Sequence, residues 1–221
     1  MTELTLTIGD KNLSSWSLRP WFLMKQAGIP FTEENIKLDR PETRKVLNEK
    51  SPSGLVPYLT HKTSTGDIKI WDSLAICEYV NDLFPEKALW PKDNHARGIA
   101  RAVTSEMHSG FSALRTVWPM NFTRSDLALS TAGGVQRDID RINSLWTMCR
   151  KEFGARCELG EPFLFGKFSI ADAMYAPVVS RLLTYGPTEL SPEASAYRDM
   201  MRDTTAMKEW GVEAKAEISS S

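Results

Sequence analysis

The sequence predicts two structural units in series: a small α/β unit over residues 1–83 and an all-helical unit over 95–221, joined by a Pro-bounded linker at 84–94. Three observations carry this. Period-two alternation of apolar residues, the mark of strands with one buried face, is confined to the first stretch. Helix signals stand between those strand signals. Beyond Asn94 no strand pattern recurs, and apolar residues return at the spacing of amphipathic helices.

The elements follow in order. Leu4 to Ile8 alternates Leu, Thr, Leu, Thr, Ile and ends at Gly9-Asp10, a strand with its stop. Ser17 reads as the N-cap of a helix over Leu18–Ala27, with Pro20 in its first turn, where a missing N–H costs little. Gly28 closes that helix and Pro30 prevents its return. Phe31–Leu38 reads as a strand and Pro41–Asn48 as a short charged helix. Val56–Thr60 and Ile68–Trp71 are strands joined by a Ser64-Thr65-Gly66-Asp67 turn. Ser73–Leu83 groups Leu74, Ile76, Cys77, Val80 and Leu83 toward one helical face. The order β-α-β-α-β-β-α implies a parallel right-handed crossover first and an antiparallel hairpin later. In the second unit, Arg97–Val117 reads as one long helix and Val135–Phe153 as another. Ile170–Tyr185 is apolar nearly all round and so central, Ser195–Trp210 is amphipathic, and Glu217–Ser221 reads as a frayed tail.

Composition narrows the chemistry. Of 221 residues 42% are hydrophobic and 25% charged, with 27 Lys+Arg against 28 Asp+Glu, so disorder is a poor reading and no general attraction to nucleic acid or anionic membrane is expected. The start of the chain lacks a basic segment followed by an apolar one, so no signal peptide is expected, and no stretch approaches the roughly 20 apolar residues of a spanning helix. Cys77, Cys149 and Cys157 are too scattered for a disulfide framework, which suits a reducing cytoplasmic setting. His61, His95 and His108 form no HExxH or CxxC…H spacing, so no metal site is expected. GxSxG, GxGxxG and GxxxxGK[ST] are all absent, so no nucleotide is expected either. Whatever reactive group such a chain uses, it is expected to borrow.

Four segments together resemble one family. Ser14-Ser15-Trp16-Ser17-Leu18-Arg19, followed by Gly28-Ile29-Pro30-Phe31, is similar to the active-site loop and first helix of serine-type glutathione transferases, nearest in spacing to the zeta class. Ser51-Pro52-Ser53-Gly54-Leu55-Val56-Pro57-Tyr58-Leu59 resembles the family's loop into a cis-proline. Ile70–Val80 resembles its glutamyl-binding turn and helix, and Phe165–Asp172 the capping box of its buried helix. Departures from the zeta pattern stand at Trp16, Leu18-Arg19-Pro20-Trp21 and Asp72. The resemblance implies a thioredoxin-like first domain, an all-α second domain, a homodimer, and glutathione as co-substrate of a small, partly hydrophobic electrophile. Glutathione-dependent isomerisation of maleylacetoacetate-like acids and a non-catalytic binding role are its alternatives.

The same resemblance assigns residues. Ser14 is the expected catalytic residue, its hydroxyl donating to a glutathione thiolate at a helix N-terminus, with Ser15 in reserve. A clustered serine is ordinarily just a loop or cap residue, and Ser17 is given that role. Ser15, Trp16, Val56, Pro57, Asp72 and Ser73 are the expected glutathione contacts, although Asp72 and Ser73 also read as plain helix caps. Arg44, Lys45 and Lys50 are undivided candidates for the glycyl carboxylate, on what is more simply a solvated face. His108, Arg115 and Trp118, with Met120 and Asn121, are expected to line the second-substrate pocket, against the plainer reading as packing. No cysteine stands in the Asn12–Ser17 loop, which disfavours mixed-disulfide chemistry, and Cys77 reads as a small core residue.

Overall fold

A computed structural model describes residues 3–154 and 162–219; Cys157 lies outside them, as do Ser220 and Ser221 of the expected tail. Strand β1 (Glu3–Gly9) lies between β2 (Thr32–Ile36) and β3 (Tyr58–Thr63), and β4 (Gly66–Trp71) completes the order β2-β1-β3-β4. β1 and β2 run parallel, with Thr5 opposite Thr32, because helix α1 (Ser15–Gln26) crosses between them. β3 and β4 are antiparallel and pair Thr63 with Gly66, so Gly66 and Asp67 belong to the strand and only Ser64-Thr65 turn. Helices α2 (Thr43–Lys50) and α3 (Ser73–Leu83) complete the α/β part. β2, α2 and β3 differ from the sequence reading by one to three residues at each end, β3 beginning only after Pro57 and running on to Thr63.

Two expectations about α1 are corrected. Ser14, not Ser17, is the N-cap, since its Oγ accepts the Ser17 N–H at 3.3 Å. Ser17 Oγ instead accepts the Gly9 N–H at 3.1 Å, a partner eight residues away that local sequence does not advertise. Pro20 consequently falls inside the helix, past the first turn, and forfeits the bond to the Trp16 carbonyl. At the other end Gly28 adopts φ 63°, and Gly28 N–H to Lys25 O with Ile29 N–H to Met24 O forms a Schellman ending.

After a single 3-10 turn at Pro85–Lys87 the described chain is helical: α4 (Asn94–Ser109), α5 (Ser112–Val117), α6 (Val135–Glu152), α7 (Ile170–Tyr185), α8 (Pro192–Asp203) and α9 (Thr205–Ser219). The expected single helix over Arg97–Val117 is two. Phe111 stands at φ 56°, and a Cβ on Gly110 would meet the Glu106 carbonyl at 2.6 Å, so the backbone turns where only glycine fits. Asp138 Oδ2 then receives the Leu114 N–H at 3.0 Å and supports the new helix from α6. The expected Ser195–Trp210 helix is likewise divided at Thr204, which takes an extended ψ of 147° and returns its hydroxyl to Met201 O. Helix α9 runs through Glu217, correcting the frayed tail: Glu217 Oε2 accepts the Lys11 N–H at 2.9 Å.

Helix α7 is central, with Ile170, Met174, Val178 and Leu182 in one apolar core that also takes in Leu18 and Trp21 of α1. Lys11 clasps α9 to the sheet side. Its ammonium, 3% exposed, meets Glu33 at 2.7 Å and also Glu213, and lies over the rings of Trp21 and Trp210. Trp210 Nε1 donates to the Lys11 carbonyl at 2.8 Å. Replacing Lys11 with Met strands two carboxylates that are only partly exposed. Stability should fall by about 2 kcal/mol, less than a fully buried pair would lose, and thermal unfolding should begin about 6 °C lower. An unchanged midpoint would show the clasp to be energetically neutral.

Candidate active site

The site lies where the N-terminus of α1, the loop before β3, the N-terminus of α3 and the end of α4 converge. Ser14 is 7% exposed. Its hydroxyl donates to Ser17 Oγ at 2.8 Å while accepting the Ser17 N–H, so it is a polarised group at a helix N-terminus. Ser15 follows it, also buried. Val56-Pro57 is a cis peptide, and the backbone N–H and C=O of Val56 enter none of the hydrogen bonds found among the described residues.

Asp72 holds φ 74°, a conformation that non-glycine residues rarely adopt. Its Oδ1 caps α3 through the N–H groups of Leu74 (2.9 Å) and Ala75 (3.2 Å), which is the plain reading fulfilled. Its Oδ2 stands 3.3 Å from His108 Nε2, which the plain reading does not require. Ser73 is fully buried, and its Oγ accepts from Arg19 Nη1 at 3.2 Å. Burial, chiefly, lowers the His108 pKa, with the Asp72 carboxylate opposing. Trp16 lies with its ring under the guanidinium of Arg19 (4.2 Å) and that of Arg115 (5.2 Å), and His108 meets it edge-on at 5.6 Å. The structure therefore joins Trp16, Asp72, Ser73, His108 and Arg115 in one cluster.

Arg19 was not expected there. It is 1% exposed, its Nε is buried without a partner among the described residues, and burial first, then Arg115 and Arg181, pulls its pKa down to about 9. A charged residue between Leu18 and Trp21, on a helix otherwise buried along this stretch, was the available signal. Trp118 is corrected: it is fully buried, stacked on Tyr185 at 5.4 Å with its Nε1 donating to Ser130 O, so it packs the core and does not line a pocket. Met120 is buried too, and Asn121 uses its carbonyl to hold Thr184. Arg44, Lys45 and Lys50 all face solvent on α2 and nothing distinguishes one of them. Cys77 is fully buried and burial raises its thiol pKa far out of the reactive range. Two open clefts, of about 640 and 720 Å3, lie elsewhere. Neither is lined by Ser14, Val56, Asp72 or Ser73, so the assignment rests on chemistry and not on cavity size.

A mixed β2-β1-β3-β4 sheet, a cis-proline opening β3, a serine-capped first helix and a helical second part define the class: a thioredoxin-like domain joined to an all-helical one. Residues 13–83 match the family model described as the glutathione S-transferase N-terminal domain. It is 31% identical over 118 residues to glutathione S-transferase 1 of Dianthus caryophyllus, a match covering 52% of this chain and 51% of that protein. It thus spans about half the length of that curated relative. A glutathione transferase homologue from Burkholderia, solved with bound glutathione, superposes with a TM-score of 0.67 at 18% identity, covering 97% of this chain and 98% of that one. The omega 2S glutathione transferase of Trametes versicolor, in complex with 2,4-dihydroxybenzophenone, gives 0.70 at 20% identity, covering 100% and 98%.

Proposed function

We propose that the protein is a serine-type glutathione transferase. When bound, glutathione supplies a thiolate whose sulfur bonds to an electrophilic carbon as the leaving group departs with its electron pair. The observation that carries this is the placement of Ser14: a nearly buried hydroxyl at the N-terminus of α1, already polarised by the Ser17 N–H. Turning that hydroxyl away from Ser17 Oγ directs its proton outward, while Ser17 Oγ keeps the Gly9 N–H. Donation to sulfur and the positive helix end both favour thiolate over thiol, and the thiol proton passes to water.

The neighbouring residues fit a tripeptide. The unengaged N–H and C=O of Val56 accept an extended backbone as a sheet edge accepts a strand. Ser73, backed by the Arg19 guanidinium, receives a carboxylate, and Asp72 receives an ammonium. Trp16 walls the site toward the helical part, and the aromatic ligand of the Trametes relative fits a partly hydrophobic second substrate. The reading includes a homodimer on family grounds.

Calorimetry with glutathione, read beside ultraviolet thiolate absorbance at pH 7, tests the proposal. Free glutathione is almost wholly thiol there. One-to-one binding with a new thiolate band is the expected result. Absence of both would move the protein to the non-catalytic relatives.

A further inference from the structure

Resting on the glutathione transferase reading, we propose that the second substrate is anionic, carrying a carboxylate or a group like it, and that Arg115 together with Trp16 holds that group beside the glutathione site. Three arginines gather at this junction. Arg19, Arg115 and Arg181 come from α1, α5 and α7, and none forms an ion pair with a carboxylate among the described residues. Among the described residues Arg181, 4% exposed, bonds to the carbonyls of Trp118 (2.9 Å) and Pro177 (3.2 Å). Arg115 bonds through Nη2 to the carbonyls of Met107 and His108, and its Nε is buried with no partner among the described residues.

The nearby carboxylates are already engaged. Asp72 caps α3 through Oδ1, faces His108 through Oδ2 and is the group assigned to the glutamyl ammonium; Asp138 accepts the Leu114 N–H and favours the Arg115 charge without pairing with it. Burial first, then repulsion from Arg115, depresses the pKa values of Arg19 and Arg181. Buried cations without counter-ions are costly, and a bound anion relieves that cost. Arg19 stands behind Ser73, on the side assigned to the glutamyl carboxylate. Arg115 enters from the helical part, so its charge serves the second substrate. Trp16, 39% exposed, lies against both guanidiniums and offers a flat apolar wall for an organic anion.

A matched pair of electrophiles tests this: 4-chloro-3-nitrobenzoate and its neutral amide. The acid should exceed the amide in kcat/KM by at least about tenfold, although the amide is the more activated ring in solution. Arg115→Gln should bring the ratio near one, and Arg115→Lys should keep most of it. Because Arg115 also holds backbone carbonyls, Trp16→Leu at an exposed position provides a second variant, expected to cut the ratio several-fold. An amide that matches the acid, or a ratio that survives Arg115→Gln, overturns the inference. Titration of 3-nitrobenzoate and 3-nitrobenzamide by calorimetry separates it from the glutathione reading. Preference for the acid that is lost with Arg115→Gln supports the site even if neither electrophile is turned over, a result that would defeat only the transferase reading. Preference lost with Ser73→Ala and kept with Arg115→Gln would place the anion at the glutamyl position and overturn the proposal.

Discussion

Replacing Ser14 with Ala should lower kcat for glutathione conjugation by about 100-fold while changing glutathione affinity little. One hydroxyl aimed at developing or resident negative charge contributes on that scale. A thiol pKa drawn down from about 8.5 by two units represents about 2.7 kcal/mol. Without the hydroxyl, the acid limb of the pH–rate profile should move upward by a comparable interval, since more hydroxide is then needed to ionise the bound thiol. The Ser17 N–H loses its cap acceptor as well, so a stability loss of about 1 kcal/mol accompanies the change. Ser14→Thr restores both hydroxyl and cap and should recover much of the rate. If Ser14→Ala retains full turnover and an unmoved pH profile, Ser14 is only a cap, and Ser15 becomes the residue to test.

The order of elements was legible because punctuation and periodicity are local. Gly9-Asp10, Gly28 and Pro30 end elements wherever they stand, and the alternation from Leu4 to Ile8 has one sensible face. What sequence misplaced was decided over distance. Ser14, Ser15 and Ser17 are equally able caps, and the choice falls to Ser14 because the Gly9 N–H claims Ser17. The break at Gly110-Phe111 interrupts an apolar repeat that runs on past it, and its support comes from Asp138 on another helix. At the site, Asp72-Ser73 was readable as a cap, but the approach of His108 to Asp72 joins α4 to α3 and has no local trace. Trp118 was misassigned because spacing near a loop does not tell a ring facing a cleft from one facing the core. Arg19 and Lys11 show the same limit from the polar side: hydropathy places both outside, and their partners, 54 and 202 residues away, bring them in.

Asp172→Ala should be among the most damaging single changes away from the site. The carboxylate is fully buried and receives four donors: the Leu164 N–H (3.0 Å), the Ser169 N–H (2.9 Å) and hydroxyl (3.0 Å), and the Tyr197 hydroxyl (3.1 Å). It thereby starts α7, fixes the preceding turn and ties α8 to both. Truncation strands two backbone N–H groups and two hydroxyls in a dry interior, at about 1 kcal/mol or more each. A total loss of about 4–5 kcal/mol is expected, seen as a fall of about 10–15 °C in apparent Tm. The pH dependence gives a sharper signature. Burial pushes the Asp172 pKa up to about 6 against the pull of its donors, whereas the unfolded chain titrates near about 3.9. The native state therefore binds more protons between those values, and this group's contribution to stability rises as pH falls through 6 and is complete below the unfolded value. The gap between native protein and Asp172→Ala should widen by about 1 kcal/mol from pH 7 to pH 5, measured by denaturant unfolding at each pH. A gap that narrows instead would mean that the four donors outweigh burial and hold Asp172 ionised throughout.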